Sequence, residues 1–356
     1  MVGQTCAQVS SANMIVIDKN SMYSKGSFEA QQVHHKQQIL TMLKRCHKTI
    51  ENALNEMRTL FKGSCNLSVK EEWKALITKI DQTFETSLFE AVKNSLSLLR
   101  DSLKRSDLCL FSIKIVLDQE QIGARPSMID LTHIINTISK DVIRVLSHLE
   151  RIHIPLEDCD QCNDNQSMTY YSVISTNPQV ISTLAQVMSG MASCTGKIKE
   201  EMDIWYAHKA LWEVDKDAYM RRCIRTNRTL QTISNDIETY NESENSIIEL
   251  RPSSYQCRFL TIDVTLLKNK LLQECRDWKS IMYTVLHKSA YHALTKIVED
   301  DNRNASNMCA NDVEKVRQTY RELLESEVKI SAEEQEYLDR LWDIPCPKNS
   351  SSYVNH

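Results

Sequence analysis

Residues 131–152, LTHIINTISKDVIRVLSHLERI, carry apolar side chains at intervals that alternate between four and three residues. An α-helix has about 3.6 residues per turn, so this spacing places those side chains along one helix face. Residues 39–60, ILTMLKRCHKTIENALNEMRTL, repeat the alternation. A repeat near 3.5 residues is typical of helices that pack as coiled coils or bundles. The two stretches therefore predict long amphipathic helices.

Three further stretches show similar spacing, which predicts a core shared by long antiparallel helices. The expected core positions, stretch by stretch, are Ile39, Leu43, Cys46, Ile50, Ala53, Met57 and Leu60; Trp73, Ile77, Ile80, Phe84, Leu88 and Ala91; Leu131, Ile135, Ile138, Val142, Val145, Leu149 and Ile152; Ile181, Leu184, Met188, Met191, Thr195, Ile198, Met202, Trp205, Lys209 and Trp212; and Val264, Leu267, Leu271, Cys275, Trp278, Met282 and Val285.

The composition excludes several other classes of protein. Gly and Pro together number 12 of 356 residues, about 3% where average usage is about 12%, so the turns of a sandwich or barrel cannot be supplied. The 43 basic and 47 acidic residues give a net charge of −4, which disfavours a nucleic-acid or anionic membrane surface. The apolar runs are far shorter than a membrane span needs. Without a visible secretory signal, the twelve cysteines are interpreted as reduced, in a cytosolic protein.

One stretch has a different period. Apolar residues occupy every second position from Cys109 to Leu117, with Ser112 and Lys114 between them. This alternation predicts a single minor strand near 108–117 in an otherwise all-α fold. Residues 123–126 predict a turn, and Ser127 with Asp130 predicts the capped start of the next helix.

The order of these segments predicts two elongated, stacked helical bundles. The expected division is a disordered lead-in over 1–30, a first bundle with the strand over 31–154, a polar linker over 155–170, a second bundle over 171–345 and a loose tail over 346–356. The linker is proposed because PLEDCDQCNDNQS is acidic and aperiodic.

Two short motifs invite a functional interpretation that their context disfavours. Gly190 and Gly196-Lys197 approximate a phosphate-binding loop, but five residues separate the glycines and Ile198 stands where the motif needs a hydroxyl. Cys159-x-x-Cys162 is half of a zinc site, with no second cysteine pair. Three interpretations of that pair are open: an ordinary loop, which we favour, a zinc site with His148 and His153, or a redox dithiol.

The remaining candidates are interpreted as structural. The histidines lie in helical patterns (His34, His35, His287 and His292), and the paired carboxylates lie at helix starts or on exposed faces (Glu71-Glu72, Glu200-Glu201 and Glu333-Glu334). The Met and aromatic stripe through Met188, Met191, Met202, Trp205 and Trp212 is interpreted as core, with partner contact as the alternative. We therefore predict no enzyme, no catalytic, cofactor-binding or metal-binding residues, and no cofactor.

Three segments carry a resemblance to a known family. Residues Ser106–Leu149 resemble the strand, turn and helix of the tail region of axonemal dynein heavy chains. Residues Trp205–Tyr240 and Cys275–Leu294 resemble later helical segments of the same tail, the second marked by Trp278, and the order fits over about 65–342. The matching positions of the first segment are Pro126, Ser127, Met128, Leu131, Thr132 and Asn136.

The resemblance implies a segment of the tail just before the linker of the motor. Such tails are stacked helical bundles in the axoneme of a cilium or flagellum, within the cytoplasm and cytoskeleton. The implied partners are other dynein heavy chains and dynein intermediate and light chains, with the doublet microtubule bound indirectly. The matching residues are packing residues, so the resemblance implies no catalytic site, and the ATPase ring of the family is absent from this chain.

Two further expectations follow. IPCPKNSSSYVNH, after Trp342, departs from what should lead into the linker, which suggests a truncated product. The alternative to a dynein tail is a free-standing helical adaptor or scaffold that binds vesicle or cytoskeletal partners.

Overall fold

The structure, a computed structural model, describes residues 1–18, 21–61, 67–156, 168–226 and 228–303, with the side chains of Ile224 and of 290–303 excepted. The chain forms two compact units. Among the described residues, unit 1 comprises Met1–Ile204 and Ser253–Leu266, and unit 2 comprises Trp205–Pro252 and 267–303. The described residues of the proposed linker, 155–156 and 168–170, lie in unit 1, and unit 2 begins at Trp205.

Long helices dominate both units, which confirms the predicted mostly helical fold. The elongated stacking of the bundles stays a prediction. In chain order the helices are α1 Val2–Ser10, α2 Lys25–Phe61, α3 Leu67–Lys104, α4 Met128–Arg144, α5 Tyr170–Ile174, α6 Pro178–Trp205, α7 Ala210–Glu213, α8 Lys216–Arg225, α9 Leu230–Leu250 and α10 Thr265–Arg303.

The N-terminal residues are ordered, so the predicted disordered lead-in over 1–30 is wrong. Cys6 and Val9 of α1 are buried, and Met14 follows them into the core. The Met14 backbone N–H donates to the Ser95 hydroxyl at 2.8 Å. Gln32 donates to the Val16 carbonyl at 2.6 Å and accepts from the Val16 N–H at 3.2 Å. Scattered apolar residues without a helical period are enough to dock this segment onto α2 and α3.

Two of the predicted core stripes are confirmed in full, the one that begins in α4 and the one that begins just before α10. Every predicted core residue from Leu131 to Ile152 is buried, and so is every one from Val264 to Val285. The helix itself ends earlier, because α4 stops at Arg144 and a 3₁₀ turn follows over Val145–His148. The Ser127 hydroxyl accepts from the Asp130 N–H at 3.1 Å, so the predicted cap is present.

Three stripes differ from the prediction, the one in α3 only at Ile80, which is half-buried. In α2, burial ends at Leu54, and the expected core residues Met57 and Leu60 are exposed. In α6 the buried face is displaced by one position over most of its length. It consists of Val180, Thr183, Val187, Met191, Cys194 and Ile198, in place of the predicted Ile181, Leu184, Met188 and Thr195.

Unit 1 also contains a four-stranded sheet. The predicted strand is present as β1, Phe111–Asp118, and three strands were missed: β2 Gln121–Arg125, β3 Ser254–Cys257 and β4 Leu260–Asp263. The strand order is β2-β1-β4-β3. β1 pairs with β4 in parallel, with Ile113 opposite Ile262, and this pairing returns residues 253–266 to unit 1.

Candidate interaction sites

A segment without regular secondary structure is bound tightly against α2 and α3 in unit 1. We call residues 149–156 the strap. Three side chains from the two helices, those of His47, Arg58 and Trp73, donate hydrogen bonds to its main chain. Because a carbonyl oxygen only accepts, Nε2 of His47 carries the proton in its bond. The acceptors are the carbonyl oxygens of Glu150, Leu156 and Ile154, at 2.8, 3.2 and 2.9 Å respectively.

A buried carboxylate of α3 binds the middle of the strap. Asp81 of α3 accepts hydrogen bonds from the Tyr170 hydroxyl at 2.6 Å, from the Ile152 backbone N–H at 3.0 Å and from Nε of Arg151 at 2.9 Å. Glu85, one turn later, forms a second ion pair with Arg151 at 2.6 Å. A buried charge is tolerated only when it is paired and hydrogen-bonded, and Asp81 meets both conditions.

The environment shifts the pKa values of both partners of Asp81. Burial raises the pKa of Tyr170 well above its usual value, and the nearby Asp81 carboxylate adds to the effect. Burial opposes the positive charge of Arg151, but hydrogen bonds and charges from Asp81 and Glu85 outweigh it and raise that pKa. The guanidinium carbon also lies 5.4 Å from the centre of the Tyr170 ring. Tyr170 therefore stays a neutral donor and Arg151 a cation.

The strap is closed by a short antiparallel contact with the chain that enters α5. The Arg151 N–H donates to the Met168 carbonyl at 3.0 Å, and the Tyr170 N–H donates to the Leu149 carbonyl at 3.2 Å. Arg151, Ile152 and Tyr170 are thus all held at Asp81 on α3. We call Asp81, Glu85, Arg151 and Tyr170 the clamp. Their donors and acceptors bind one another, so the network fastens the strap to α3.

Unit 2 is organised around one indole. Trp278 of α10 is 1% exposed, and its Nε1–H donates to the Leu211 carbonyl at 2.7 Å. The ring of Tyr240 stacks on it at 5.6 Å with an interplanar angle of 7°, and the ring of Tyr219 meets it edge-on at 5.2 Å. This aromatic cluster joins α8, α9 and α10.

Ion pairs lie around the aromatic cluster. Lys216 pairs with Glu274 and, at 3.3 Å, with Asp277. Lys270 reaches Glu274 from the same helix at 2.9 Å. Burial would raise the pKa of Glu274, but the two lysines outweigh burial and lower it. Glu274 is thus held as a carboxylate that fastens α8 to α10.

One end of unit 1 exposes apolar side chains. We call Met57, Leu60, Phe61 and Leu67, where α2 ends and α3 begins, the apolar tip. Leu60 is 81% exposed and Leu67 is 72% exposed, while Phe61 lies 6.1 Å from the buried Trp73 ring. Exposed apolar side chains grouped in this way are typical of surfaces that contact partners. The tip is therefore a candidate contact surface.

The structure places the weighed sequence motifs in structural positions. Gly190 and Gly196 lie inside α6, where intrahelical hydrogen bonds occupy the N–H groups that a phosphate loop would use. In the Met and aromatic stripe, Met191 and Trp205 are buried, while Met188, Met202 and Trp212 are half-buried. The core interpretation holds for the first two.

The candidate acid, base and metal residues that the structure describes have different surroundings. His34 is exposed, His35 contacts the Asn13 carbonyl at 2.8 Å and His287 is buried. The Glu201 carboxylate accepts from the Tyr255 hydroxyl at 2.7 Å, whereas Glu71, Glu72 and Glu200 are exposed. His148 and His153 are exposed too. Cys159, Cys162, Glu333, Glu334 and the His292 side chain lie outside the described residues.

Two features are absent from the described residues. Among the described ranges, no group of three or more His, Cys, Asp or Glu side chains is arranged to hold a metal ion. Within the same part of the chain, no helix combines the length and apolarity that crossing a bilayer requires.

The clamp was not predicted from the sequence. Its signal is Asp81, a carboxylate on the apolar face of α3 between Ile77 and Phe84. We expected Ile80 to occupy the core there, but Ile80 is half-buried and Asp81 is buried. A lone acid among apolar residues at helical spacing predicts a buried partner, here Arg151 and Tyr170.

Comparison with known proteins relates the chain to dyneins. No protein family profile matches it. It is 27% identical over 293 residues to the dynein-1-beta heavy chain of the flagellar inner arm I1 complex of Chlamydomonas reinhardtii, covering 77% of this chain. It is 22% identical over 299 residues to mouse dynein axonemal heavy chain 2 and 21% identical over 306 residues to the human protein, covering 81% and 83% of this chain.

The chain spans 6–7% of the length of these curated relatives. All three are axonemal or flagellar dynein heavy chains, and the similarity extends over about four fifths of the chain. This supports the predicted relation to dynein heavy chains.

Proposed function

We propose that the chain is a non-catalytic tail segment of the axonemal dynein heavy chain type, a structural and assembly element that links a microtubule motor to its associated chains. The observation that carries this proposal is the similarity to axonemal dynein heavy chains over about four fifths of the chain, in a stretch that corresponds to 6–7% of their length. A segment of that size is consistent with one part of a much larger heavy chain.

The tail placement rests on the strand, turn and helix of 106–149. There, Ser127 caps α4, and Met128 and Leu131 are buried. The Thr132 hydroxyl donates to the Met128 carbonyl at 2.7 Å. Residues that resemble the dynein tail thus have packing and capping roles, as expected for a structural element.

The internal contacts suit a segment that transmits force. The clamp at Asp81 and the aromatic cluster at Trp278 each fasten separate helices with short, directional bonds. Such networks resist local opening because breaking one bond leaves a buried polar group without a partner. We propose that force generated elsewhere passes through these helices, and that other dynein heavy chains and intermediate and light chains bind their outer faces, in the axoneme.

The test is incorporation into axonemes. The full chain, carrying an epitope tag, is expressed in ciliated cells, and axonemes are isolated, extracted with salt and sedimented on a sucrose gradient. We expect the chain to co-sediment with dynein heavy and intermediate chains. Tyr171→Phe, an exposed change, should incorporate normally, whereas Trp278→Ala, which unpacks unit 2, should not.

Two outcomes would contradict the proposal. Folded chain that stays in the cytosol or sediments alone would favour the free-standing adaptor. ATP hydrolysis by the pure chain would contradict the non-catalytic assignment.

A further inference from the structure

The exposed side of α8 carries three arginines within two turns. Arg221, Arg222 and Arg225 are all exposed, and within the described part of the chain none of them forms an ion pair. Asp217 precedes Arg221 by one turn, but the two side chains do not form an ion pair either. Residues three and four apart on a helix have Cβ atoms about 5–6 Å apart, so Arg225 is a neighbour of both other arginines.

This arrangement carries a local energetic cost. The helix macrodipole favours a cation in the last turn, which accounts for one arginine at this position. Like charges spaced four residues apart destabilise a helix, however, and here one pair is spaced by four and another by three. A bound anion would relieve that repulsion.

One of the three guanidinium groups is already held in place. Arg222 lies over the ring of Tyr219, with its central carbon 5.4 Å from the ring centre. That ring is fixed in turn, because its hydroxyl accepts from Nη1 of Arg228 at 3.0 Å and its edge meets Trp278 at 5.2 Å. A guanidinium resting on a rigid ring loses less conformational freedom when it binds an anion, and its N–H groups remain free at the rim.

We infer that Arg221, Arg222 and Arg225 form a docking surface for a carboxylate-rich peptide segment of a partner protein. Arginine presents paired N–H groups that match the two oxygens of a carboxylate. When it is helical, a peptide with acidic side chains three or four residues apart places its carboxylates at the spacing of the arginines. The small footprint fits two or three carboxylates.

A nucleic-acid backbone is the less suitable occupant. Binding to a phosphate chain depends on a continuous basic track, and this chain has a net charge of −4. Beyond the three arginines, the neighbouring cation Arg228 is already paired with Asp236 of α9. The surface is therefore a local basic patch bordered by acidic groups, which suits a short peptide.

The experiment measures binding of a fluorescein-labelled octaglutamate peptide to the full chain by fluorescence anisotropy. We expect saturable binding that weakens as salt is added, because the contacts are exposed charges. The double variant Arg221→Gln/Arg225→Gln should weaken binding by about tenfold, since two charge-assisted contacts are removed. Arg221→Lys/Arg225→Lys keeps the charge but loses the paired geometry, and we expect about a threefold loss.

A matched control separates this surface from general charge. Lys44 and Lys48 of α2 are also exposed, four residues apart and without an ion pair in the described residues. Lys44→Gln/Lys48→Gln changes the net charge equally and should leave the affinity within about twofold, since lysines outside the surface do not contact the peptide. Circular dichroism confirms that each variant is folded.

Three results would overturn the inference. The first is absence of saturable binding at millimolar peptide. The second is an equal loss in the Lys44→Gln/Lys48→Gln variant, which would show attraction by net charge alone. The third is tighter binding of an eight-nucleotide single-stranded DNA through the same arginines, which would assign the surface to nucleic acid. None of these results bears on the tail assignment, which the axonemal sedimentation tests separately.

Discussion

Trp73 in unit 1 and Trp278 in unit 2 both donate an indole N–H to a main-chain carbonyl, at 2.9 and 2.7 Å, but their surroundings differ. Trp278 is enclosed by Tyr219 and Tyr240. Among the described residues, the aromatic ring recorded beside Trp73 is that of Phe61, which is 41% exposed, and the strap that Trp73 binds is also held by charged side chains. The same kind of hydrogen bond, from an indole N–H to a carbonyl oxygen, is thus part of an aromatic cluster in unit 2 and lies beside the ionic clamp in unit 1.

The difference teaches how each unit distributes its stability. In unit 2 a single large side chain contributes both buried area and the hydrogen bond, so much depends on one residue. In unit 1 the strap is held by several directional bonds to His47, Arg58, Trp73 and Asp81, and each contributes less. The predictions below test that contrast, beginning with the largest effect.

Replacing Trp278 should have the largest effect. We expect Trp278→Ala to lower the free energy of unfolding by about 3–5 kcal/mol, toward the upper end of that range. Removing the indole creates a cavity and also leaves the Leu211 carbonyl without its hydrogen-bond donor. Trp73→Ala should fall at the lower end of the same range. Urea denaturation followed by circular dichroism measures both. A loss below about 1 kcal/mol for Trp278→Ala would place that side chain at a surface.

Removing the cation of the clamp should cost less. Arg151→Met leaves the buried Asp81 carboxylate without its charged partner, and we expect a loss of about 2–3 kcal/mol after discounting for the 24% exposure of the Arg151 side chain. The matched control is Arg105→Met. Its pair with Asp107 is exposed and screened by solvent, so the loss should be clearly smaller than that of Arg151→Met. Equal losses in the two variants would show that the clamp is no stronger than a surface ion pair.

A neighbouring pair of tyrosines tests the hydrogen bond alone. Tyr170→Phe removes only the hydroxyl that donates to Asp81, and we expect a loss of about 1–2 kcal/mol. Tyr171→Phe alters an exposed ring and should change stability by less than about 0.5 kcal/mol. Thermal unfolding of the two variants in parallel provides the measurement. No difference between them would mean that Asp81 is satisfied without Tyr170.

The smallest expected effect is a gain. Gly190 and Gly196 lie inside α6, and a Cβ added at either position meets nothing within 4 Å. Each change to Ala should therefore stabilise the protein by about 0.5–1 kcal/mol by restoring helix propensity. The double variant, compared with the parent chain by urea denaturation, measures the sum. A loss of stability would show that the glycines make contacts that their surroundings do not indicate.

The sequence predicted the buried side chains well where one face alone is apolar. The stripe from Leu131 to Ile152 is buried throughout, and so is the one from Val264 to Val285. In α6, by contrast, apolar residues lie side by side, as in Val180-Ile181 and Val187-Met188. Spacing cannot choose between two adjacent faces of equal apolarity. Packing in the folded protein buries the first residue of each pair.

Features that depend on residues far apart in the chain could not be predicted from local sequence patterns. Strands β3 and β4 have four residues each, too few to show a period, and β4 exists as a strand because β1 lies beside it. The clamp also depends on residues far apart in the chain, since Asp81 and Arg151 are separated by 70 positions. Sequence reasoning identified 155–170 as unusual and polar. It did not show that the residues beside that segment bind a buried acid.

The parallel pairing of β1 with β4 has a consequence for synthesis on the ribosome. Ile113 and Ile262 are opposite each other in the sheet but 149 positions apart in the chain. At about 5–20 residues per second, a nascent β1 waits roughly 7–30 seconds before its neighbour is translated. During that interval its open edge offers unpaired N–H and C=O groups, a known route to aggregation. Nascent unit 1 is therefore an expected client of chaperones until residue 263 has emerged.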